Sequence, residues 1–191
     1  MIMFENEKFE EILTVLRQGG VILYPTDTIW GIGCDATNEV AVEKINQIKN
    51  RKNKNGYVLL VDSVETLKTY VDHVHPRIET LLHFHERPLT VIYDEGMGLA
   101  PSVLGKDGSV AIRVVKDAFC RELIRQLGKP LVATSANITG RDFPAHYGEI
   151  SSEVLEKIDL VVRYKQDHKE RGEPSVIVRL NEFEELDFIR E

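Results

Sequence analysis

The stretch VILYPTDTIWGIG, Val21 to Gly33, joins two kinds of chemistry in a short span. Val21 to Pro25 form a brief apolar run that reads as a buried strand. Thr26-Asp27-Thr28 then place two hydroxyls around a carboxylate, followed by Trp30 and two glycines. A solvent loop has no use for the Trp, and a core segment has none for Thr-Asp-Thr. The mix points to a backbone that passes close to a ligand and is lined by short polar groups.

Working outward from this strand, the spacing of Phe9, Ile12, Leu13 and Leu16 predicts a helix that stops at Gly19-Gly20. Asn38 is placed to cap a helix whose apolar side is Ala41, Ile45 and Ile48. Strands are expected at 57–61, 89–94, 109–115 and 130–134, and near 159–164, 175–180 and 185–190. Helices are expected at 63–72, at 76–86, from Asp117 to Gly128 and near 150–157, with a Gly/Pro-rich loop over 95–108. Alternating strands and helices give an α/β class. Several neighbouring strands lack a helix between them, so the sheet is expected to be mixed, parallel and antiparallel. No repeat, low-complexity tract or linker interrupts the chain, which reads as one domain over residues 1–191. Ligands of such sheets lie off strand ends. Both PTDT (25–28) and TSAN (134–137) follow strands at such ends, and their shared hydroxyls and amides place them in one site.

Composition narrows the function classes. Apolar residues make up 42% and charged residues 29%, as in ordinary globular domains. No apolar run approaches the roughly 18–20 residues of a membrane span, and the acidic, amphipathic start does not read as a signal peptide. Cys34 and Cys120 form no CxxC pair and read as buried free thiols, so a cytoplasmic location is expected. A net charge of −7 argues against extensive nucleic-acid contact. The exception is KINQIKNRKNKN, Lys44 to Asn55, with five basic residues and no acidic one. It reads either as a solvated helix end or as a seat for a small anion such as a nucleotide phosphate.

No dinucleotide fingerprint or P-loop is present. HVH (73–75) and HFH (83–85) invite a metal site, but side chains two apart diverge on a helix, so His83 and His85 should not converge. Ser135 lies beside backbone amides and reads better as a hydrogen-bonding ligand than as a nucleophile. Arg113 stands in an otherwise apolar strand, SVAIRVV (109–115), and must have a partner. That partner is either a structural carboxylate or an anionic substrate, since the guanidinium fork suits a carboxylate or phosphate. Arg190, after LDFI, reads unaided as solvent-exposed.

Taken in order, YPTDTIWGIGCDA, IKNR, SVAIRV, TSANITG and PSVIV resemble the YrdC-type threonylcarbamoyl-AMP synthase family. The resemblance spans roughly residues 10–190 and is to the short form, without the additional C-terminal domain of longer members. It implies a twisted, mixed α/β sheet flanked by helices around a basic cavity. It also implies a nucleotidyltransferase that makes threonylcarbamoyl-AMP and pyrophosphate from L-threonine, bicarbonate and ATP, with Mg²⁺ accompanying ATP. The product serves N6-threonylcarbamoyladenosine formation at position 37 of tRNA. A downstream transferase complex and a weak tRNA contact are the implied partners. The alternative is a non-catalytic module of the same fold that binds a nucleotide or double-stranded RNA. A related domain in hydrogenase-maturation proteins is a further rival, but those proteins carry extra regions for which this chain has no room.

Carried over residue by residue, the resemblance gives Thr28 and Arg113 to threonine. Lys49 and Arg51 become the catalytic pair on the ATP phosphates, and Asn55 a further ATP ligand. Ser109, Ala133, Thr134, Ser135, Asn137 and Arg190 complete the nucleotide site. Trp30 and the glycines are expected in the pocket wall and its close turns. The chain departs from the usual pattern at Asn50 and Lys52 in the basic loop and at Glu86-Arg87-Pro88 before the 89–94 strand.

Overall fold

The computed structural model describes residues 8–51, 56–170 and 172–191. One nine-stranded sheet runs through them in the order β7-β1-β2-β6-β3-β5-β4-β8-β9. The strands are β1 (Ile22–Tyr24), β2 (Gly31–Gly33), β3 (Val58–Val61), β4 (Leu89–Tyr93), β5 (Val110–Val114), β6 (Leu131–Ser135), β7 (Leu160–Val161), β8 (Val176–Leu180) and β9 (Leu186–Arg190). The pairs β1–β7, β3–β5 and β4–β8 are parallel, and the other neighbours are antiparallel. The sheet is therefore mixed, as the missing crossover helices predict.

Helices α1 (Phe9–Arg17) and α5 (Ala118–Leu127) cover one face. Helices α2 (Glu39–Ile48), α3 (Val64–Leu67) and α4 (Pro76–Phe84) cover the other, and α6 (Ser152–Leu155) precedes β7. Alternating side chains feed two apolar clusters, Val21, Leu23 and Leu59 in one and Ile22, Tyr24 and Leu60 in the other. Local signals start and stop the helices as expected. Asn38 accepts from the Ala41 amide, Asp117 accepts from the Cys120 amide, and Gly128 ends α5 in the left-handed region. His75 caps α4 through the Arg77 amide. Cys34 and Cys120 are free and buried.

Two expectations require correction. The helix over 63–72 is a single turn, Val64–Leu67, because Val71 is drawn into a bridge with Gly96. The glycines of the opening motif do not merely turn the chain. Gly31–Gly33 form β2, inserted between β1 and β6. A Cβ on Gly33 would lie 2.5 Å from the Tyr24 ring and 2.5 Å from the Val132 carbonyl oxygen. The glycine makes room for Tyr24, whose hydroxyl donates to that same carbonyl at 2.9 Å.

Gly33→Ala should therefore cost about 1–3 kcal/mol by overpacking. Gly31→Ala, whose Cβ would meet nothing closer than 3.5 Å, should stay near wild-type stability. Thermal unfolding of the two variants checks the contrast, which equal melting temperatures would contradict.

Candidate active site

A cavity of about 470 Å³ is lined by Val58 of β3, Arg113 of β5 and Ala133 to Ser135 of β6, with Val58 and Ala133 also packed against the cluster that α1 and α5 cover. This lies within the usual span of ligand sites, about 300–1,000 Å³. Its wall contains Lys49, Arg51, Arg113 and Arg190 and, among the described residues, no carboxylate. The rest is hydroxyls, an amide, glycines and the aliphatic Ile29, Val58, Ala133 and Pro174, with Tyr57 and Phe143 as the aromatic members.

Thr26 and Thr28 arrive from the loop between β1 and β2. Their hydroxyls lie 2.8 Å apart, and that of Thr26 also donates to the Ile29 carbonyl at 2.8 Å. The loop is thus tied to itself, with Thr28 in the cavity wall. Gly172 lies on its backbone so closely that a Cβ would fall 1.6 Å from the Thr28 carbonyl oxygen. Trp30 is not in the cavity wall. It is 6% exposed and packs in the core, its ring 5.1 Å from that of Tyr147. Its large apolar surface belongs there.

Lys49 follows α2 and turns back beneath the loop after β6. It is 5% exposed, not the accessible side chain that a helix end implies. Nζ donates to the carbonyls of Ser135 at 2.6 Å and Asn137 at 2.7 Å, and to Asn137 Oδ1 at 3.2 Å. The Lys49 carbonyl also accepts from the Thr139 amide at 3.0 Å. Lys49 therefore clamps the TSAN loop with backbone and side chain together. Burial, and then the Arg51 charge, lower its pKa to about 8. Arg51 lies over the Tyr57 ring at 4.2 Å, and Tyr57 is held by its hydroxyl donating to Asn46 Oδ1 at 2.7 Å.

Arg113 is 4% exposed and has a protein partner, Asp27, with Nη2 3.1 Å from Oδ1. Arg113 thus has the structural carboxylate that one sequence reading required, and it also lines the cavity. Arg190 is on β9 and its residue is exposed, yet Nε donates to the Ser175 carbonyl at 2.9 Å and the side chain lines the cavity. Burial, and then the Arg113 charge, depress its pKa.

Of the expected residues, Thr28, Lys49, Arg51, Arg113, Ala133, Thr134, Ser135, Asn137 and Arg190 line this one cavity. Ser109 does not. Its hydroxyl donates to Asp107 at 2.6 Å in the turn before β5. Asn55 lies outside the described residues. Thr26, part of the PTDT stretch that the sequence places in the site, lines the cavity too, whereas sequence reasoning missed Phe143 and Ser175. Ser175 is joined to Thr90 through their hydroxyls at 2.8 Å, a pairing of distant strands with no local signal. Phe143 belongs to neither apolar cluster, so a core pattern could not reveal it.

Comparison with known proteins bears on the fold and the family. A Vibrio parahaemolyticus protein named threonylcarbamoyl-AMP synthase is 32% identical over 160 residues, 82% of this chain and 86% of its own length. The E. coli YciO crystal structure superposes with a TM-score of 0.82 at 23% identity, covering 96% of this chain and 88% of that one. P. abyssi Sua5 complexed with L-threonine gives a TM-score of 0.82 at 24% identity over 95% of this chain. The chain spans about half, 53%, of the length of that Sua5. The family model Sua5/YciO/YrdC, described as "Telomere recombination", matches residues 14–191. The chain belongs to the Sua5/YciO/YrdC family.

Proposed function

We propose that this protein is a threonylcarbamoyl-AMP synthase, with L-threonine, bicarbonate and ATP as substrates and pyrophosphate as co-product. The observation that carries this reading is a cavity with four cationic side chains and no carboxylate in its described wall. Such a wall suits a polyanion together with a second, carboxylate-bearing ligand. The name of the Vibrio relative supports the same reaction. The name of the Sua5 complex places L-threonine with a protein of the same fold.

In this reading Arg113 and Thr28 receive threonine, while Lys49, Arg51, Arg190 and the TSAN loop hold the nucleotide. Asn55 and Ser109 remain proposed ATP ligands, although the structure shows Ser109 engaged elsewhere. The threonine amine combines with bicarbonate, losing water, to give a carbamate. A carbamate oxygen then attacks the α-phosphorus of ATP, and the bond from that phosphorus to the bridging oxygen breaks to release pyrophosphate. No protein nucleophile takes part. The protein aligns the groups and offsets charge that builds on the phosphoryl oxygens. Mg²⁺ enters as part of MgATP, since magnesium is commonly held by phosphates and water. The product would pass to a downstream threonylcarbamoyl transferase for tRNA position 37, with at most a weak direct tRNA contact here and a cytoplasmic setting.

Purified protein with MgATP should release pyrophosphate only when both L-threonine and bicarbonate are present. ATP binding without such release would instead favour a non-catalytic nucleotide-binding module. Lys49→Met should lower turnover by about 10²–10³, the loss seen when one preorganised charge contact is removed.

The pH dependence follows from the Lys49 clamp. With its folded pKa lowered to about 8 from 10.5, the folded state gives up this proton before the unfolded state does. Between those values the unfolded chain binds more protons, so this group's contribution makes stability rise with pH. The clamp on the TSAN loop and the positive charge beside the nucleotide both need the ammonium, so kcat/KM for ATP should turn downward above about pH 8. A pH–rate profile with no downturn before about pH 10, near the usual lysine value, would remove Lys49 from that role.

A further inference from the structure

We propose that Asp27 is a positioning residue that orients the Arg113 guanidinium toward the amino-acid carboxylate. The proposal rests on the reading of the cavity as a threonine and ATP site. It answers why a site built for anions keeps a carboxylate beside its most buried arginine.

Thr26 and Thr28 line the cavity, but Asp27 between them does not. Its side chain is 10% exposed and meets Arg113 from outside the cavity wall. The contact is single, Oδ1 to Nη2 at 3.1 Å. Both Asp27 oxygens and Arg113 Nε are buried without a hydrogen bond. A pair built only for stability would use such groups, because unmatched buried polar atoms cost free energy. This pair leaves much of the guanidinium's donor capacity unspent.

Arg113 also feels Arg190, whose own charged form is disfavoured by burial and by the Arg113 charge. One neighbour repels the guanidinium and Asp27 attracts it. Without Asp27, a flexible side chain beside a 470 Å³ cavity loses the contact that selects its orientation. Two-pronged recognition of a carboxylate depends on that orientation. Asp27 also repels an incoming carboxylate, which works in the opposite direction. The two effects differ in sign, so experiment can separate them.

The test measures KM for threonine and for ATP by pyrophosphate release in Asp27→Asn, Asp27→Glu, Arg113→Lys and the Asp27→Asn/Arg113→Lys double variant. Asp27→Asn should raise the threonine KM about tenfold to a hundredfold, the range lost with a charged hydrogen bond. The ATP KM should change less than about twofold, a split that general loss of structure would not produce. Asp27→Glu keeps the charge but displaces the guanidinium by about one methylene, so the threonine KM should still rise severalfold. This variant keeps the proposal testable if Asp27→Asn fails to fold. In the Arg113→Lys background, Asp27→Asn should add little, because it acts through the missing fork. A threonine KM unchanged or lowered in Asp27→Asn, a wild-type value in Asp27→Glu, or effects that multiply in the double variant would each overturn the proposal. Absence of threonine-dependent pyrophosphate release from the wild-type protein would instead sink the proposed function.

Discussion

Four cations share one cavity, and their mutual repulsion is the constraint around which the site is built. Each is anchored, and among the described residues only one is anchored by a carboxylate. Lys49 is held by two carbonyls and an amide oxygen, Arg51 by the face of Tyr57, and Arg190 by Ser175. Among the described residues, Arg113 is the member of the four with an acidic partner, Asp27. Neutral anchors hold a charge in place without cancelling its field. The cavity wall therefore carries four cationic side chains within a chain of net charge −7, an arrangement that favours anionic ligands.

The scaffold brings these anchors together from distant parts of the sequence. The antiparallel insertion of β2 between β1 and β6 sets the PTDT loop beside the TSAN loop. Lys49 then ties the end of α2 to the loop after β6. Arg190 reaches the cavity because β9 pairs with β8, and β8 lies parallel to β4. The β3–β5 pair carries Arg113 to the cavity floor.

Much of the fold was legible in the sequence, and the reasons are local. Asn38, Asp117 and Gly128 mark helix ends by chemistry that needs no tertiary context. Runs such as VLLV and VAIRV read as strands for the same reason. The brevity of α3 was not legible, because the bridge from Val71 to Gly96 is a long-range event. Nor was β2, since Gly-Ile-Gly has little strand propensity and is held by its neighbours on both sides. In the site, Arg113 announced itself as a charge in an apolar strand. Its partner Asp27 did not, because pairing across 86 residues leaves no trace in spacing. Lys49 looked like a solvated helix end and is in fact buried, since the acceptors that hold it lie on another strand's loop. Arg190 was found only through the family pattern.

The central claim is that the cavity joins a carbamate of threonine to the α-phosphorus of ATP. The most direct measurement is mass spectrometry of the products formed from MgATP, L-threonine and ¹³C-bicarbonate. The account predicts an adenylate that contains both the threonine and the labelled carbon, formed together with pyrophosphate. An adenylate without the label, or unchanged ATP under conditions where ATP is shown to bind, would contradict it.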